Sequence, residues 1–172
     1  MINNLLRCVI YFIVFVLLQV LFFNNIHYLR IATPFLYLYC IIKLPVKMSR
    51  SGILIFSFLT GLVVDMFSNT PGLHSGACTL VALLREPLIH LLLGEEVLQG
   101  IYPSYNSFGY GGFIRYVSLF IIIHHSVLFM IEALSLFDPA FLLLRIGASV
   151  LMTILSICTI ELFNFEIQKV GE

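Results

Sequence analysis

The stretch GLVVDMFSNTPGLHSG, residues 61–76, places an acidic residue and a Pro-Gly pair between two strongly apolar segments. Ser57, Gly61 and Asp65 follow one another at intervals of four residues, so they lie on one face of a helix. Small residues on such a face let a neighbouring helix approach closely in a membrane. The stretch therefore predicts a tight hairpin of two packed helices, with Asp65 directed towards protein near the turn.

The second helix of this hairpin has its own small residues. Gly72, Gly76 and Thr79 share one face and begin with a GxxxG pattern, which predicts that this face meets the first helix. Thr70 and Pro71 suit the N-cap and the first position of a helix. The predicted helix therefore begins at about residue 72.

Asp65 needs partners, because a carboxylate at membrane depth costs a few kcal/mol unless it is paired or hydrated. The candidates are backbone N–H groups at the start of the second helix, His74, and Arg85. Arg85 lies well along that helix, so a direct ion pair would need a break such as Pro87 could provide. We expect Asp65 to cap the turn and Arg85 either to meet polar groups elsewhere in the bundle or to snorkel to the cytoplasmic side; a proton or ion relay is the functional alternative.

The amino-acid composition indicates that the chain folds in a lipid bilayer and not in water. Of 172 residues, 60% are hydrophobic and 10% are charged, and the mean hydropathy is +1.06, whereas a soluble domain is about 45–50% apolar and about 25% charged. Nine Lys and Arg balance nine Asp and Glu, which argues against nucleic-acid binding. The four cysteines lie far apart in apolar segments without a ligand-type spacing. The chain is predicted to be an all-α integral membrane protein.

Six apolar segments divide the chain. A bilayer core of about 30 Å needs roughly 17–25 helical residues for each crossing, and no long polar insert separates the segments, so residues 1–172 form one predicted transmembrane domain. The predicted spans are about 8–23, 31–44, 52–67, 72–93, 113–134 and 139–163. The second span is short and carries Pro34 near its start, so it is tilted, re-entrant or only partly spanning.

Basic residues predict the orientation, because Lys and Arg concentrate in cytoplasmic connections. With both termini in the cytoplasm, seven of the nine basic residues fall on the cytoplasmic half. They are Arg7, Lys43, Lys47, Arg50, Arg85, Arg115 and Lys169, with Arg30 and Arg145 on the outer half. The connection 94–112, rich in Tyr and Gly, is predicted to lie along the membrane interface, with a partner-docking surface as the alternative.

The last two spans carry further polar groups. Glu132 and Arg145 lie at similar distances from the turn at Asp138, which predicts a structural ion pair. His124 and His125 fall near the middle of the fifth span, and His125 shares a face with Glu132. Neutral imidazoles that hydrogen-bond between helices are the simpler interpretation; a proton relay is the alternative, since such chains occur in transporters.

The sequence lacks HEXXH, GxSxG, P-loop and spaced Cys/His patterns. We therefore predict no enzymatic activity, no cofactor and no metal site.

The segment FLTGLVVDMFSNTPGLHSGACTLVALLREP, residues 58–87, resembles the MreD family of rod-shape-determining membrane proteins. The resembling features are a Gly-Leu-x-x-Asp, a Pro-Gly turn and an arginine twenty residues after the aspartate. They correspond to Gly61, Leu62, Asp65, Pro71, Gly72 and Arg85. The segment with His124, His125 and Glu132 is similar to versions from Bacteroidetes-type bacteria.

This resemblance implies a non-enzymatic scaffold of the bacterial inner membrane that binds MreC. Through MreC it implies links to the filament protein MreB and to a SEDS glycosyltransferase and its transpeptidase, which synthesise peptidoglycan. It also implies similarity to the fold of the S component of energy-coupling-factor transporters. The nine residues predicted to serve structure or partner contact are Gly61, Asp65, Pro71, Gly72, Gly76, Arg85, His125, Glu132 and Arg145.

Two alternatives use the same architecture. The first is a vitamin-binding S component, although residues 8–23 lack the Gly, Ala or Ser that a close contact with its coupling partner would need. The second is a proton-coupled carrier, in which His125→Ala would abolish transport without unfolding the protein. A co-purified ligand would favour the first alternative.

Overall fold

A computed structural model of the chain describes residues 2–23, 32–46, 48–94, 101–133 and 138–170. These residues form helices and irregular segments, with no β-strand among them. The helices are α1 (Ile2–Leu21), α2 (Leu38–Ile42), α3 (Arg50–Ser68), α4 (Leu73–Leu93), α5 (Tyr105–Glu132) and α6 (Pro139–Val170). Four of them, α3 to α6, are long and apolar enough to cross a membrane, and α1 has a shorter apolar stretch, Cys8–Leu21.

The α3 and α4 bounds agree with the predicted 52–67 and 72–93 to within two residues. Helix α5 begins at Tyr105, eight residues before the predicted start at 113, because Ser104 and Ser107 form a capping box in which each hydroxyl accepts the other's backbone N–H. The backbone then breaks at Gly109, whose φ is 68°. Helices α1 and α6 also extend beyond their predicted bounds, to Ile2 and Val170.

The prediction of a helix over 31–44 is wrong. Only Leu38–Ile42 is helical, while residues 33–35 and 43–46 are irregular. Residues 32–46, here called the central segment, are nevertheless the most enclosed part of the protein, and Tyr37, Leu38 and Ile41 have no exposed surface. Irregular backbone at membrane depth is tolerated when protein surrounds it and satisfies its polar groups. The central segment therefore forms the interior of the bundle.

The other helices surround this segment. Helices α3, α4, α5 and α6 pack in sequence order, each against the next, while α1 packs against α2 and α3. Aromatic residues of α5, among them Phe113 and Phe120, fill the core beside it, and the opposite faces carry large exposed side chains such as Met66, Leu91 and Leu143. Outer faces of this kind suit contact with lipid.

The two ends of the bundle differ. The α3–α4 turn and the ends of α5 and α6 that flank their connection lie together, and we call this the hairpin end. At the other end, the terminal end, Asn164 of α6 donates to the Tyr39 hydroxyl, and Tyr11 of α1 packs against the Tyr39 ring at a centroid distance of 5.8 Å. The start of α1 and the last part of α6 therefore share the terminal end.

Some predictions fall on residues whose structure is not described. Arg30, Lys47 and residues 95–100 lie outside the described residues, and so do the side chains of Arg7 and Lys169. Their places in the charge count and in the predicted interfacial connection stay predictions.

Candidate functional site

The Asp65 carboxylate caps the start of α4. Its Oδ1 accepts hydrogen bonds from the Thr70 hydroxyl at 3.0 Å and the His74 N–H at 2.9 Å. Its Oδ2 accepts from the Ser75 N–H at 2.9 Å and the Ser75 hydroxyl at 2.8 Å. The positive end of the helix further favours the negative charge. The predicted capping of the turn by Asp65 is confirmed.

Gly61 brings α3 and α4 into close contact. A Cβ atom at this position would lie 2.5 Å from the backbone nitrogen of Ser75 and 2.6 Å from the carbonyl carbon of His74. Real Cβ atoms essentially never approach backbone so closely, so only glycine fits here. Ser57 and Asp65 are buried on the same face, and the predicted close-packed hairpin is confirmed.

The opposing face of α4 was predicted wrongly. Gly72 and Gly76 are exposed, and a Cβ on either would meet nothing within 4 Å. Helix α4 begins at Leu73, because Pro71 and Gly72 belong to the turn and Gly72 has a left-handed φ of 86°. Ser75, and not the GxxxG pair, faces α3, so Gly72 and Gly76 do not make the predicted helix–helix contact, and Pro71 lies in the turn and not at the first helical position.

Gln19 of α1 holds the first part of the central segment. Its side-chain amide donates to the Pro34 carbonyl at 3.2 Å and accepts from the Leu36 N–H at 2.8 Å. The amide thus replaces the two backbone partners that a helix or strand would supply. Gln19 is fully buried; the sequence interpretation missed it, although it is a polar residue in an otherwise apolar run.

Two hydroxyls of α6 hold the same region from the other side. Ser149 Oγ accepts the Thr33 N–H at 3.0 Å, and Thr153 Oγ1 accepts the Phe35 N–H at 3.1 Å. Both hydroxyls are buried. The central segment therefore runs alongside α6 and depends on it for backbone hydrogen bonds.

Arg85 holds the far end of the central segment. Its guanidinium donates to the carbonyl of Leu44 and, at 3.5 Å, to that of Pro45. Arg85 has no exposed surface. These two hydrogen bonds go to backbone carbonyls and not to the Asp65 carboxylate. The expectation that Arg85 meets polar groups elsewhere in the bundle is confirmed: it satisfies carbonyls left unpaired just beyond α2.

A second buried charge pair lies at the terminal end. Lys43 Nζ lies 2.9 and 3.0 Å from the two carboxylate oxygens of Glu161, and the Tyr39 hydroxyl donates to the same carboxylate at 2.6 Å. Lys43 was assigned to a polar connection, whereas it is only 5% exposed. Glu161 was not singled out, although it is the one acidic residue within the α6 stretch 140–164.

The histidines at the centre of the bundle bond between helices, as expected. The Tyr37 hydroxyl lies 2.8 Å from His74 Nδ1 and 3.1 Å from His124 Nε2. His125 Nδ1 lies 2.9 Å from the Ile121 carbonyl, and its Nε2 lies 3.2 Å from Thr153 Oγ1. Tyr37, at the middle of the network, gave no signal in the sequence, because it looks like one aromatic residue among many in an apolar segment.

The predicted ion pair between Glu132 and Arg145 is present. Arg145 Nη2 lies 3.0 Å from Glu132 Oε1, and the guanidinium carbon lies 4.5 Å from the centroid of the Phe129 ring. Both charged side chains are partly exposed. His125 was expected to share a face with Glu132, but the two residues bond to different partners.

A cleft of about 300 Å³ opens at the hairpin end. This hairpin-end cleft was not foreseen, since its walls come from four separate parts of the chain. Its lining consists of Thr33, Phe35, Phe67, Ser68, Thr70, Leu73, His74, Leu128, Phe129, Glu132 and Arg145. A volume of about 300 Å³ is at the lower end of the range for small-molecule sites.

Within the described residues, no group of three or more His, Cys, Asp or Glu side chains is arranged to hold a metal ion. Cys8, Cys40, Cys78 and Cys158 form no disulfide with one another. The chain matches no family model, no curated protein and no solved structure.

Proposed function

We propose that the chain is a non-enzymatic scaffold of the bacterial inner membrane that binds MreC and so takes part in control of cell shape and peptidoglycan synthesis. This proposal rests on the resemblance to the MreD family carried by Gly61, Asp65 and Arg85. MreB and the SEDS glycosyltransferase with its transpeptidase would be reached through the same complex.

The buried charged side chains support this proposal most directly, because they bond to other groups inside the bundle. Asp65 caps α4, Arg85 binds backbone carbonyls, and Lys43 binds Glu161. A charged group inside a membrane bundle is costly, and groups engaged in architecture are poorly placed for turnover. Such a bundle would act through its lipid-facing surfaces and short connections.

Affinity purification in mild detergent tests the scaffold proposal. We expect an MreC-like protein among the co-purified partners, with recovery reduced by mutations on one lipid-facing surface. A photo-crosslinking residue at Leu151 of α6 and one at Ile55 of α3 form a matched pair, since these side chains are 60% and 61% exposed on different helices. Crosslinking of MreC from one position and not the other would locate the contact, while absence of MreC from the complex would contradict the proposal.

A second candidate function is the solute-binding subunit of an energy-coupling-factor transporter. The hairpin-end cleft favours it, because a cleft with both polar and aromatic walls can hold a small molecule. Recovery of ATPase subunits in the same purification would support this candidate against the scaffold.

A further inference from the structure

His74 joins the buried hydrogen-bond network to the hairpin-end cleft. Its ring lines the cleft and is only 6% exposed, and its Nδ1 is bonded to the Tyr37 hydroxyl. Nε2 is therefore the ring nitrogen available to a molecule in the cleft. Whether Nε2 donates or accepts depends on the direction of the hydrogen bonds behind it.

That direction follows from counting protons. Tyr37 has one hydroxyl proton and two imidazole nitrogens within hydrogen-bond distance, and the Cys78 thiol lies 3.7 Å from His124 Nε2. Because an imidazole nitrogen is a better acceptor than a thiol sulfur, the hydroxyl proton goes to one of the two imidazoles. If it donated to His124 Nε2, the proton of His124 would sit on Nδ1, which is buried without a hydrogen-bond partner among the described residues. A buried N–H without a partner is rarer than an unsatisfied acceptor. Tyr37 therefore donates to His74 Nδ1, and His74 presents an Nε2–H donor to the cleft.

Other polar groups near the cleft are already engaged. The N–H groups of His74 and Ser75 bond to Asp65, which accepts four hydrogen bonds in all. The start of α4 therefore has little capacity left for an anion, and Asp65 has little for a cation. The donors that we assign to a ligand are His74 Nε2–H and the guanidinium of Arg145, and the hydroxyl-bearing residues Thr33 and Ser68 also line the cleft.

Arg145 adds a charge at the rim of the cleft. A guanidinium has five N–H donors, and the contact with Glu132 involves Nη2. Glu132 balances the positive charge, so a singly charged oxyanion suits the site better than a polyanion. Phe35, Phe67 and Phe129 form apolar walls beside these donors.

We propose that the hairpin-end cleft binds a small amphipathic monoanion, whose oxygen atoms accept hydrogen bonds from His74 Nε2–H and Arg145 and whose apolar body packs against the three phenylalanines. A free carboxylate and the phosphodiester of an anionic lipid headgroup share this chemistry. The site is independent of the scaffold role, because it needs no protein partner.

The test is calorimetric titration of the purified full-length protein in detergent with 4-phenylbutanoate and with the uncharged 4-phenylbutanamide. We expect the carboxylate to bind at least about ten-fold more tightly than the amide. The double variant E132Q/R145Q removes both charges without leaving one alone, and should lose at least about ten-fold in affinity for the carboxylate. R115Q is the matched control, because Arg115 is exposed at the other end of α5, and it should bind as the unaltered protein does.

Two further measurements complete the test. Phosphatidylglycerol added to the micelles, with phosphatidylcholine as comparison, should compete with the carboxylate if a lipid headgroup is the natural occupant and should have no effect if it is a free carboxylate. In ¹⁵N-histidine-labelled protein, the His74 signals, assigned by their loss in His74→Gln, should show the Nε2–H tautomer and shift with the carboxylate. Absence of carboxylate binding, equal affinity for the amide, equal affinity of E132Q/R145Q, or the Nδ1–H tautomer of His74 would each overturn the proposal. Because none of these outcomes involves MreC, failure here leaves the scaffold proposal to its own test.

Discussion

Asp65 stabilises the hairpin between α3 and α4 through charge and geometry together. Its two oxygens accept four hydrogen bonds of 2.8 to 3.0 Å, two of them from backbone N–H groups of α4. Hydrogen bonds to a charged acceptor are about twice as strong as those between neutral groups. Asp65 is only 2% exposed, so water has little access to replace these bonds, and the hairpin depends strongly on this one side chain.

Asp65→Asn should destabilise the protein by about 2 kcal/mol or more, because the new amide N–H₂ would face N–H donors and leave at least one of them unsatisfied. Reversible unfolding in detergent micelles, followed by loss of helical circular dichroism, measures the free energy of unfolding. Asp138→Asn is the matched control. Asp138 accepts from the Ala140 and Phe141 N–H groups at the exposed start of α6, where Asn caps about as well as Asp. Equal stability of the two variants would contradict this account of Asp65.

Gly61 and Gly76 should respond differently to substitution by alanine, because only Gly61 lies in the α3–α4 contact. Gly61→Ala should destabilise the protein by about 1–3 kcal/mol, because the added methyl group would overlap the backbone of α4 and force the helices apart. Gly76→Ala should be neutral or stabilising by up to about 1 kcal/mol, since Gly76 is exposed within α4 and alanine has the better helix propensity. The same unfolding measurement compares them. A larger loss for Gly76→Ala would mean that the GxxxG face, as the sequence first predicted, is the one that packs.

The central segment depends on side chains for its shape, and Arg85 is its anchor near the terminal end. Arg85→Met would leave the Leu44 and Pro45 carbonyls without their charged donor, so the segment should open more often. Cys40 lies within it and is 1% exposed, which makes its thiol a reporter. With the other three cysteines replaced by alanine, Arg85→Met should raise the rate of Cys40 labelling by a maleimide about ten-fold or more.

Arg115→Met is the control for this measurement, because Arg115 is an exposed residue that donates to the Gly111 carbonyl within α5. An unchanged labelling rate in Arg85→Met would show that other anchors, such as Gln19, suffice to hold the segment.

The sequence predicted continuous helices well and the broken one poorly. α3 and α4 are continuous, mostly apolar helices whose backbone hydrogen bonds lie within the helix, so the local sequence carries the information. The central segment has similar hydropathy, but its backbone partners are Gln19, Thr153 and Arg85, which are distant in the sequence. Pro34 indicated an irregularity without indicating what would satisfy it.

In the candidate site, too, contacts between residues close in the sequence were predictable and contacts between distant residues were not. The Asp65 cap and the Glu132–Arg145 pair were predictable, because both bridge a short turn whose geometry follows from counting residues. The Lys43–Glu161 pair joins residues 118 positions apart, and the hairpin-end cleft draws its walls from the central segment and all four long helices. Contacts of this kind arise only when the whole bundle is assembled.

The path of the central segment decides how many times the chain crosses the bilayer. Thr33 lies beside Ser149, Phe35 beside Thr153, and Lys43 beside Glu161. The twelve residues of α6 between Ser149 and Glu161 span about 18 Å. The segment therefore runs alongside α6 from the hairpin half towards the terminal end, and we predict that it acts as a crossing, although little of it is helical.

If both this segment and α1 cross, together with the four long helices, the chain would pass through the membrane six times and its two termini would emerge on one side, which is our prediction. A re-entrant segment that returned to the hairpin end would leave five crossings and put the termini on opposite sides. Reporter fusions measure the difference: a green fluorescent protein fused at either terminus should be fluorescent, and alkaline phosphatase inserted after Thr70 or Asp138 should be active. Since basic residues favour the cytoplasmic side, we expect both termini in the cytoplasm. A terminus that reports the opposite side from the other would remove the sixth crossing, and with it the enclosed position of Tyr37 and the buried network that leads to His74.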